Sequence, residues 1–475
     1  MMTVKMKEGF EVDGMKIGKV TSRKVWPLMT SQETRNCLGR IRLHALNRSG
    51  PRAASKSRSF LRAALENPAD PIDRNPNETF HCAIGPILII AQVFGLFPVM
   101  GISSPSPKNL AYSRRSARTI YSLIVIISIA VMAGFSIMHM LKTLKAEAFE
   151  LKGGITSATS GAVFYGNSLI GAVIFLWLAP HWVVLQQDWR AMERLINRLG
   201  HPKLRWKFKI ITGIVLLLAL IEHLVSIVTN TIGFTYEKTE NSTIEHFLHF
   251  YSATSHPFIL SSLDYNIALG IFLFIISKFA TFVWNFTDIF VMLISTGLAE
   301  WYKTLNESLI STIGCHKTLS EWQALREYYA SLSLLVKQVD TYISPIILLS
   351  FANNLYFICL QLLNGLYPTD NGLLSNLYYF GSFVFMVTRT VTVTLLVARI
   401  NDQSKLALPV LYNCPASTYC MEAQRLQQQL SSDDIALTGL RFFSVTRNFM
   451  LAVRMFVVLL ILRKCILGFI RVYKR

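Results

Sequence analysis

Six stretches of twenty or more mostly apolar residues divide this 475-residue chain, each long enough to cross a bilayer as a helix. They fall at 118–141, 156–180, 209–231, 258–299, 341–366 and 375–399. The fourth is long enough to cross and project beyond the bilayer as one continuous helix. A seventh candidate, 449–470, is cut by Arg454, Arg463 and Lys464. Only 16% of the residues are charged, against about 25% in a soluble domain, so the main solvent of the chain is lipid. The pattern predicts an all-α, polytopic membrane protein with seven transmembrane helices, the last atypical or truncated.

Residues 82–101 form a further uncharged run, weakened as a helix by Gly85, Pro86, Gln92, Gly95 and Pro98. Basic residues lie on both sides of it, with Lys108, Arg114, Arg115 and Arg118 following. Both flanks favour the cytoplasm, so the run reads as interfacial or re-entrant, and 81–117 as that apolar segment with its linker.

Loop charges set the orientation. Arg190, Arg194, Arg198, Lys203, Arg205, Lys207 and Lys209 face only Asp188 and Glu193 between the second and third spans, which places that loop in the cytoplasm. The next loop carries Glu237, Glu240 and Glu245 against Lys238, and the sequon Asn241-Ser242-Thr243, whose glycan acceptor Asn241 needs an outside loop. The N-terminus is therefore cytoplasmic and, with seven crossings, the C-terminus is outside. That is the reverse of a G-protein-coupled receptor, and neither an Asp-Arg-Tyr nor an Asn-Pro-x-x-Tyr stands where such a receptor requires it.

The net charge of +19 does not point to nucleic acid. Residues 1–116 hold 18 Lys or Arg against 8 Asp or Glu in a Ser-, Pro- and Asn-rich setting, without the folded basic face and stacking aromatics of a nucleic-acid binder. Residues 1–80 read as a disordered basic cytoplasmic segment. No secretory leader is expected, since the first long apolar run starts near residue 82. None of the seven cysteines falls in an outside loop, and Cys414 and Cys420 lack the spacing and His partners of a zinc site, so neither disulfides nor a metal cofactor is expected.

Ionisable and amide side chains inside spans are costly and mark candidate sites. Glu222 and His223, with Ser226 and Asn230 beyond them, lie in the outer half of the third span. His256, Ser261, Ser262, Asp264, Tyr265 and Asn266 mark the outer start of the fourth. Asn353, Asn354, Tyr356 and Gln361 lie in the fifth, and Ser375, Asn376, Tyr378 and Tyr379 open the sixth. Carboxylates and amides beside flat rings suit a polyhydroxylated ligand, the polar groups meeting hydroxyls and the rings covering C–H faces. The alternative is that each of them hydrogen-bonds between helices and stabilises the bundle.

No phosphate loop, HExxH or GxSxG occurs and no acid–base constellation assembles, so an enzyme is not expected. His246 and His249 form a weak metal-pair pattern in the acidic loop. Residues 300–338 and 419–448 read as cytoplasmic helices extending the fourth, fifth and seventh spans, where subunits could associate.

Five blocks carry a family likeness. ALTGLRFFSVTRNFMLAV (436–453) resembles the segment before the last membrane helix of insect gustatory receptors, in particular their sugar-receptor branch. FHCAIGPILIIAQVFGLFPV (80–99) resembles that branch ahead of its first span, and FTDIFVMLISTGLAEWY (286–302) the inner end of its fourth helix. WQALREYYASLSLLVKQVD (322–340) and LSFANNLYFICLQLLNGL (349–366) fit the linker and helix that follow. The likeness implies a seven-helix plasma-membrane subunit of a homo- or hetero-tetrameric, ligand-gated cation channel. Sugar would enter a pocket in the outer half of each bundle, and the four last helices would line the pore. On that frame Glu222, His223, Asp264, Tyr265, Asn353, Asn354, Tyr356, Tyr378 and Tyr379 become candidate sugar contacts. A sugar or small-solute transporter is the alternative, although no internal repeat appears.

The branch's last helix should carry Thr-Tyr, five mostly apolar residues, then Gln-Phe. Here RMFVVLLILRKCILGFIRVYKR follows Val453 instead. Arg or Lys at mid-span costs about 2.5–3.5 kcal/mol on the translocon scale, and cations lining a cation pore would repel the permeant ion. The expected divisions are thus 1–80, 81–117, a bundle over 118–453, and a divergent end at 454–475 that is either a variant terminus or an artefact of gene prediction.

Overall fold

In a computed structural model the described residues are 78–146, 154–236, 244–311, 318–364, 373–415, 419–449 and 451, all within the compact unit Leu61–Arg475. The candidate seventh span lies outside them, apart from its first residues.

Thr79 starts the first helix, α1 (Phe80–Val93), by accepting from the Cys82 amide. The chain then turns at Gly95, whose φ is 76° and where a Cβ would lie 2.8 Å from a Val125 methyl, so only glycine fits. Beyond the turn, Gln92 Nε2 donates to the carbonyls of Phe97 (2.8 Å) and Val99 (2.6 Å), holding the returning chain against its own helix. His81 Nε2 meets the Ser104 carbonyl at 2.9 Å, so the hairpin closes beside its own start. Phe80 stacks on Trp189 with centroids 3.7 Å apart, and Phe94 near the tip stacks on Phe282 at 3.8 Å.

The bundle follows as α2 (Ala117–Ala146), α3 (Gly154–Ile196), α4 (Leu204–Tyr236), α5 (Ile244–Ser255), α6 (Ile267–Ile310), α7 (Leu319–Asn364) and α8 (Leu373–Lys405). A single turn, Pro257–Leu260, separates α5 from α6. Then come the short α9 (Ala407–Tyr412), α10 (Met421–Ser432) and a two-stranded hairpin of β1 (Thr438–Gly439) and β2 (Phe443–Ser444), paired Thr438 to Ser444 and Gly439 to Phe443. By length and composition α2, α3, α4, α6, α7 and α8 are six helices able to cross a membrane.

Helix α6 is the axis of the bundle. It packs against α2, α3, α4, α5, α7 and α8, and every residue from Asn285 to Tyr302 is buried. A helix apolar on all sides belongs in such a centre. By contrast α2 and α4 present Ile120, Ile124 and Ile127, and Ile214, Leu217 and Leu220, on outward faces, as a lipid-facing surface should.

Several boundaries differ from the sequence expectation. The second span does not stop at 180 but continues through Pro180 to Ile196, so Arg190 and Arg194 belong to α3 and the basic loop is short. The fourth starts at Ile267 rather than 258, because Asn266 is an N-cap whose side chain accepts from Leu269 N at 2.8 Å. Residues 419–448 are not one helix. Asp340 accepts from both the amide and the hydroxyl of Thr438, at 2.6 and 2.9 Å, and Asn401 Nδ2 donates to the Ile435 carbonyl at 2.9 Å. Those bonds hold extended backbone after α10. Conversely the linker at 322–340 and the fifth span form a single helix, α7. It is opened by a reciprocal cap in which Thr318 N donates to Glu321 Oε2 (2.8 Å) and Glu321 N to Thr318 Oγ1 (3.3 Å).

Candidate functional site: a layered polar core

Polar side chains of α3, α4, α6, α7 and α8 meet in the half of the bundle where α4 finishes and α6 and α8 begin. They form three successive layers.

The first layer centres on Glu222 of α4. Its carboxylate accepts from Tyr378 Oη at 3.2 Å and Ser382 Oγ at 3.0 Å, both on α8. Ser382 Oγ in turn accepts from Gln361 Nε2 of α7 at 2.9 Å, and Tyr379 Oη donates to the Gln361 carbonyl. Residues 378 and 382 are one helical turn apart, so both reach the same carboxylate. Gln361 Oε1 is buried without a partner among the described residues.

The second layer is a recess lined by Asn167, Ser168, Trp284, Thr287, Leu349, Ser350 and Asn353, with room for about one water molecule. Asn167 Nδ2 donates to Asn353 Oδ1 across it at 2.7 Å. A sugar enters here only if these side chains move.

The third layer is an ion pair. Arg389 Nε of α8 lies 2.5 Å from Asp288 Oδ2 of α6, with the side chains 2% and 1% exposed. Asn354 Nδ2 (3.0 Å) and the Ser350 hydroxyl also donate to Asp288. Arg389 further donates to Asn285 Oδ1 (2.6 Å) and the Trp284 carbonyl (3.2 Å), and its guanidinium stands 5.3 Å from the centre of the Trp284 ring. With so many bonds the buried charges are satisfied. Trp284 joins the layers, since it both lines the recess and meets Arg389.

The structure brings together Glu222, Tyr378 and Tyr379 through Gln361 and Ser382, and it brings Asn353 and Asn354 to the layers beneath. The α7 quartet does not share one face: Tyr356 Oη donates to Thr159 of α3 at 2.9 Å, Asn354 turns to α6, and Gln361 to α8. His223 points away from Glu222, its Nε2 lying 2.8 Å from Lys278 Nζ of α6. Asp264 and Tyr265 stand apart, before α6 begins: Asp264 is exposed, and Tyr265 donates to the Glu245 carbonyl at 3.2 Å with its ring against His249. Asn241 lies outside the described residues. Among the described residues no cluster of His, Cys, Asp or Glu is arranged to hold a metal.

The sequence reading missed Asp288, Arg389 and Lys278. Each is a charge inside an apolar helix, the same signal that selected Glu222.

Six membrane-length helices around a buried, layered polar core define a multi-pass helical membrane protein. A family profile described as trehalose receptor matches residues 58–463, wider at both ends than the 80–453 that the sequence blocks covered. The chain belongs to that family of gustatory receptors. It is 31% identical over 379 residues to the gustatory receptor for sugar taste 64f of Drosophila melanogaster, covering 79% of this chain and 78% of that one. It is 33% identical over 378 residues to the gustatory receptor 5a for trehalose of the same fly, covering 79% and 82%. Among solved structures it resembles the insect olfactory receptor OR5 of Machilis hrabei, solved alone and with eugenol, at a TM-score of 0.59 and 13% identity over 81% of this chain and 97% of that one. That likeness is one of fold.

Proposed function

We propose that the chain is a sugar-sensing subunit of a ligand-gated cation channel in the plasma membrane, with a cytoplasmic N-terminus. The observation that carries this reading is the Glu222 carboxylate, which accepts from Tyr378 and from Ser382, itself bonded to Gln361. A carboxylate, amides and hydroxyls in reach of a flat ring form the donor–acceptor set for a polyol, and the relatives are named for sugar taste and trehalose. The basic turn between α3 and α4 and the acidic 237–245 region support the outer placement of this half.

Sugar hydroxyls replace internal bonds of Glu222, Gln361, Asn353 and Asn354, and Tyr378 lies against the ring. Because these residues come from α4, α7 and α8, occupancy shifts α7 and α8 relative to α6. In a homo- or hetero-tetramer this motion passes to the last helices at the central pore. Arg454, Arg463 and Lys464 interrupt the apolar run there, and alone the chain gives no sugar-gated current while its pocket still binds.

Melting of the purified chain across a panel of mono- and disaccharides, trehalose included, tests the binding step. At least one sugar raises the melting temperature saturably, and Glu222→Gln, still folded, loses that rise. Absence of any sugar effect, or accumulation of labelled sugar inside vesicles, would overturn the reading.

A further inference from the structure

On the other side of α4, Lys278 lies within the apolar span of α6 with no carboxylate in ion-pair reach among the described residues. Its ammonium is 2.8 Å from His223 Nε2 and 3.1 Å from Tyr251 Oη of α5, and it stands 4.6 Å from the Phe274 ring centre and 4.9 Å from that of Tyr251. An ammonium has three protons to donate, and these two partners occupy two.

The neighbouring groups repeat the imbalance. Ser252, beside Tyr251 on α5, is 0% exposed and its hydroxyl has no partner among the described residues. His256 is 2% exposed, with Nε2 2.8 Å from Tyr165 Oη and Nδ1 buried without a partner. Tyr165, His223, Tyr251, His256, Phe274 and Ser277 gather about Lys278 with no negative charge among them, and Ser252 lies one helical turn before His256, whose amide donates to the Ser252 carbonyl. Among the described residues the ammonium has one proton beyond its two hydrogen-bond partners, and the Ser252 hydroxyl and His256 Nδ1 have no partner at all. A lone charge within a span is expensive unless something of opposite sign accompanies it.

We propose that this cluster is an anion site: a small monovalent anion, halide or carboxylate, binds between α4, α5 and α6 with Lys278 as its counter-ion and Ser252 and His256 Nδ1–H as further donors. The site is separate from the Glu222 layer and does not depend on the sugar reading. Its occupancy ties α5 to α4 and α6.

The test is melting of the full-length purified chain in sodium bromide, sodium acetate and the bulky sodium isethionate at one ionic strength. Bromide or acetate raises the melting temperature saturably relative to isethionate, and the more effective salt distinguishes halide from carboxylate. Lys278→Met abolishes the rise, and Ser252→Ala, which keeps the ammonium, raises the half-saturating concentration by about 10-fold. Equal melting of the natural chain in the three salts overturns the proposal, as does a rise that survives Lys278→Met. So does a rise that emerges only when Glu237 and Glu240 are both changed to Gln, because the counter-ion is then a carboxylate of the chain itself.

Discussion

Arg389 of α8 and Asp288 of α6 form an ion pair 2.5 Å long at the foot of the polar core, both almost wholly buried. The pair fixes α8 against the central helix, and through Ser350 and Asn354 it also holds α7. Removing one partner leaves the other as an uncompensated charge. Arg389→Met therefore destabilises the protein by about 3–5 kcal/mol, whereas the double change Asp288→Leu with Arg389→Met costs much less, as breaking and replacing a buried pair differ. A double-mutant cycle on thermal stability in detergent checks this. Equal losses in the single and double variants would contradict it.

Glu222 holds the first layer by two hydrogen bonds from α8. Glu222→Gln keeps the shape and removes the charge from those bonds, which are worth about 1.5–3 kcal/mol each when charged. Sugar affinity falls by about 10- to 100-fold. Ser382→Ala removes one donor only and costs about 5-fold. Dose–response curves on a conducting form separate the two, and an unchanged response in Glu222→Gln places the pocket elsewhere.

His256 supplies a pH dependence. Burial first, and the nearby Lys278 charge second, hold its pKa down to about 4 from the ordinary 6.5. The unfolded chain therefore binds a proton at this residue below pH about 6.5 while the folded chain refuses it until about 4. Stability from this group is complete above about 6.5 and falls as pH drops towards 4, by about 3 kcal/mol in all. Tyr165, Tyr251, Phe258 and Lys278 are the groups that face it. Melting curves between pH 4 and 7 for the natural chain and His256→Phe should converge as pH falls. Parallel curves would remove His256 as the cause.

Asn241 tests the orientation. If the 237–243 segment is outside, glycosidase shortens the mature protein's apparent mass and Asn241→Gln removes that sensitivity. A chain insensitive to glycosidase and labelled from the cytoplasm at 241 would invert the assigned topology.

The spans were legible because twenty apolar residues in a row have few alternatives in water or lipid. Their ends were less so. The second apolar run ends at 180, yet α3 continues through Pro180, since packing against α2, α6 and α7 outweighs one lost ladder bond. Asn266 caps α6 where hydropathy saw only a continuing run, and that shift moves Asp264 and Tyr265 out of the bundle. Glu222, Tyr378 and Asn353 could be grouped from sequence by their shared level in the bundle. Which neighbour each one faces could not, because α7 turns its polar residues towards three different helices. Asp288 and Arg389 escaped because their complementarity appears only when α6 and α8 are side by side.

The central claim, that residues 1–453 hold a working sugar pocket joined to an ending that does not conduct, is tested most directly by whole-cell current during a sugar panel. Cells would express either the natural chain or a chimera keeping residues 1–453 with the last helix of an intact sugar receptor. The account predicts sugar-gated current from the chimera and none from the natural chain. Current from the natural chain by itself, or silence from the chimera to every sugar, would contradict it.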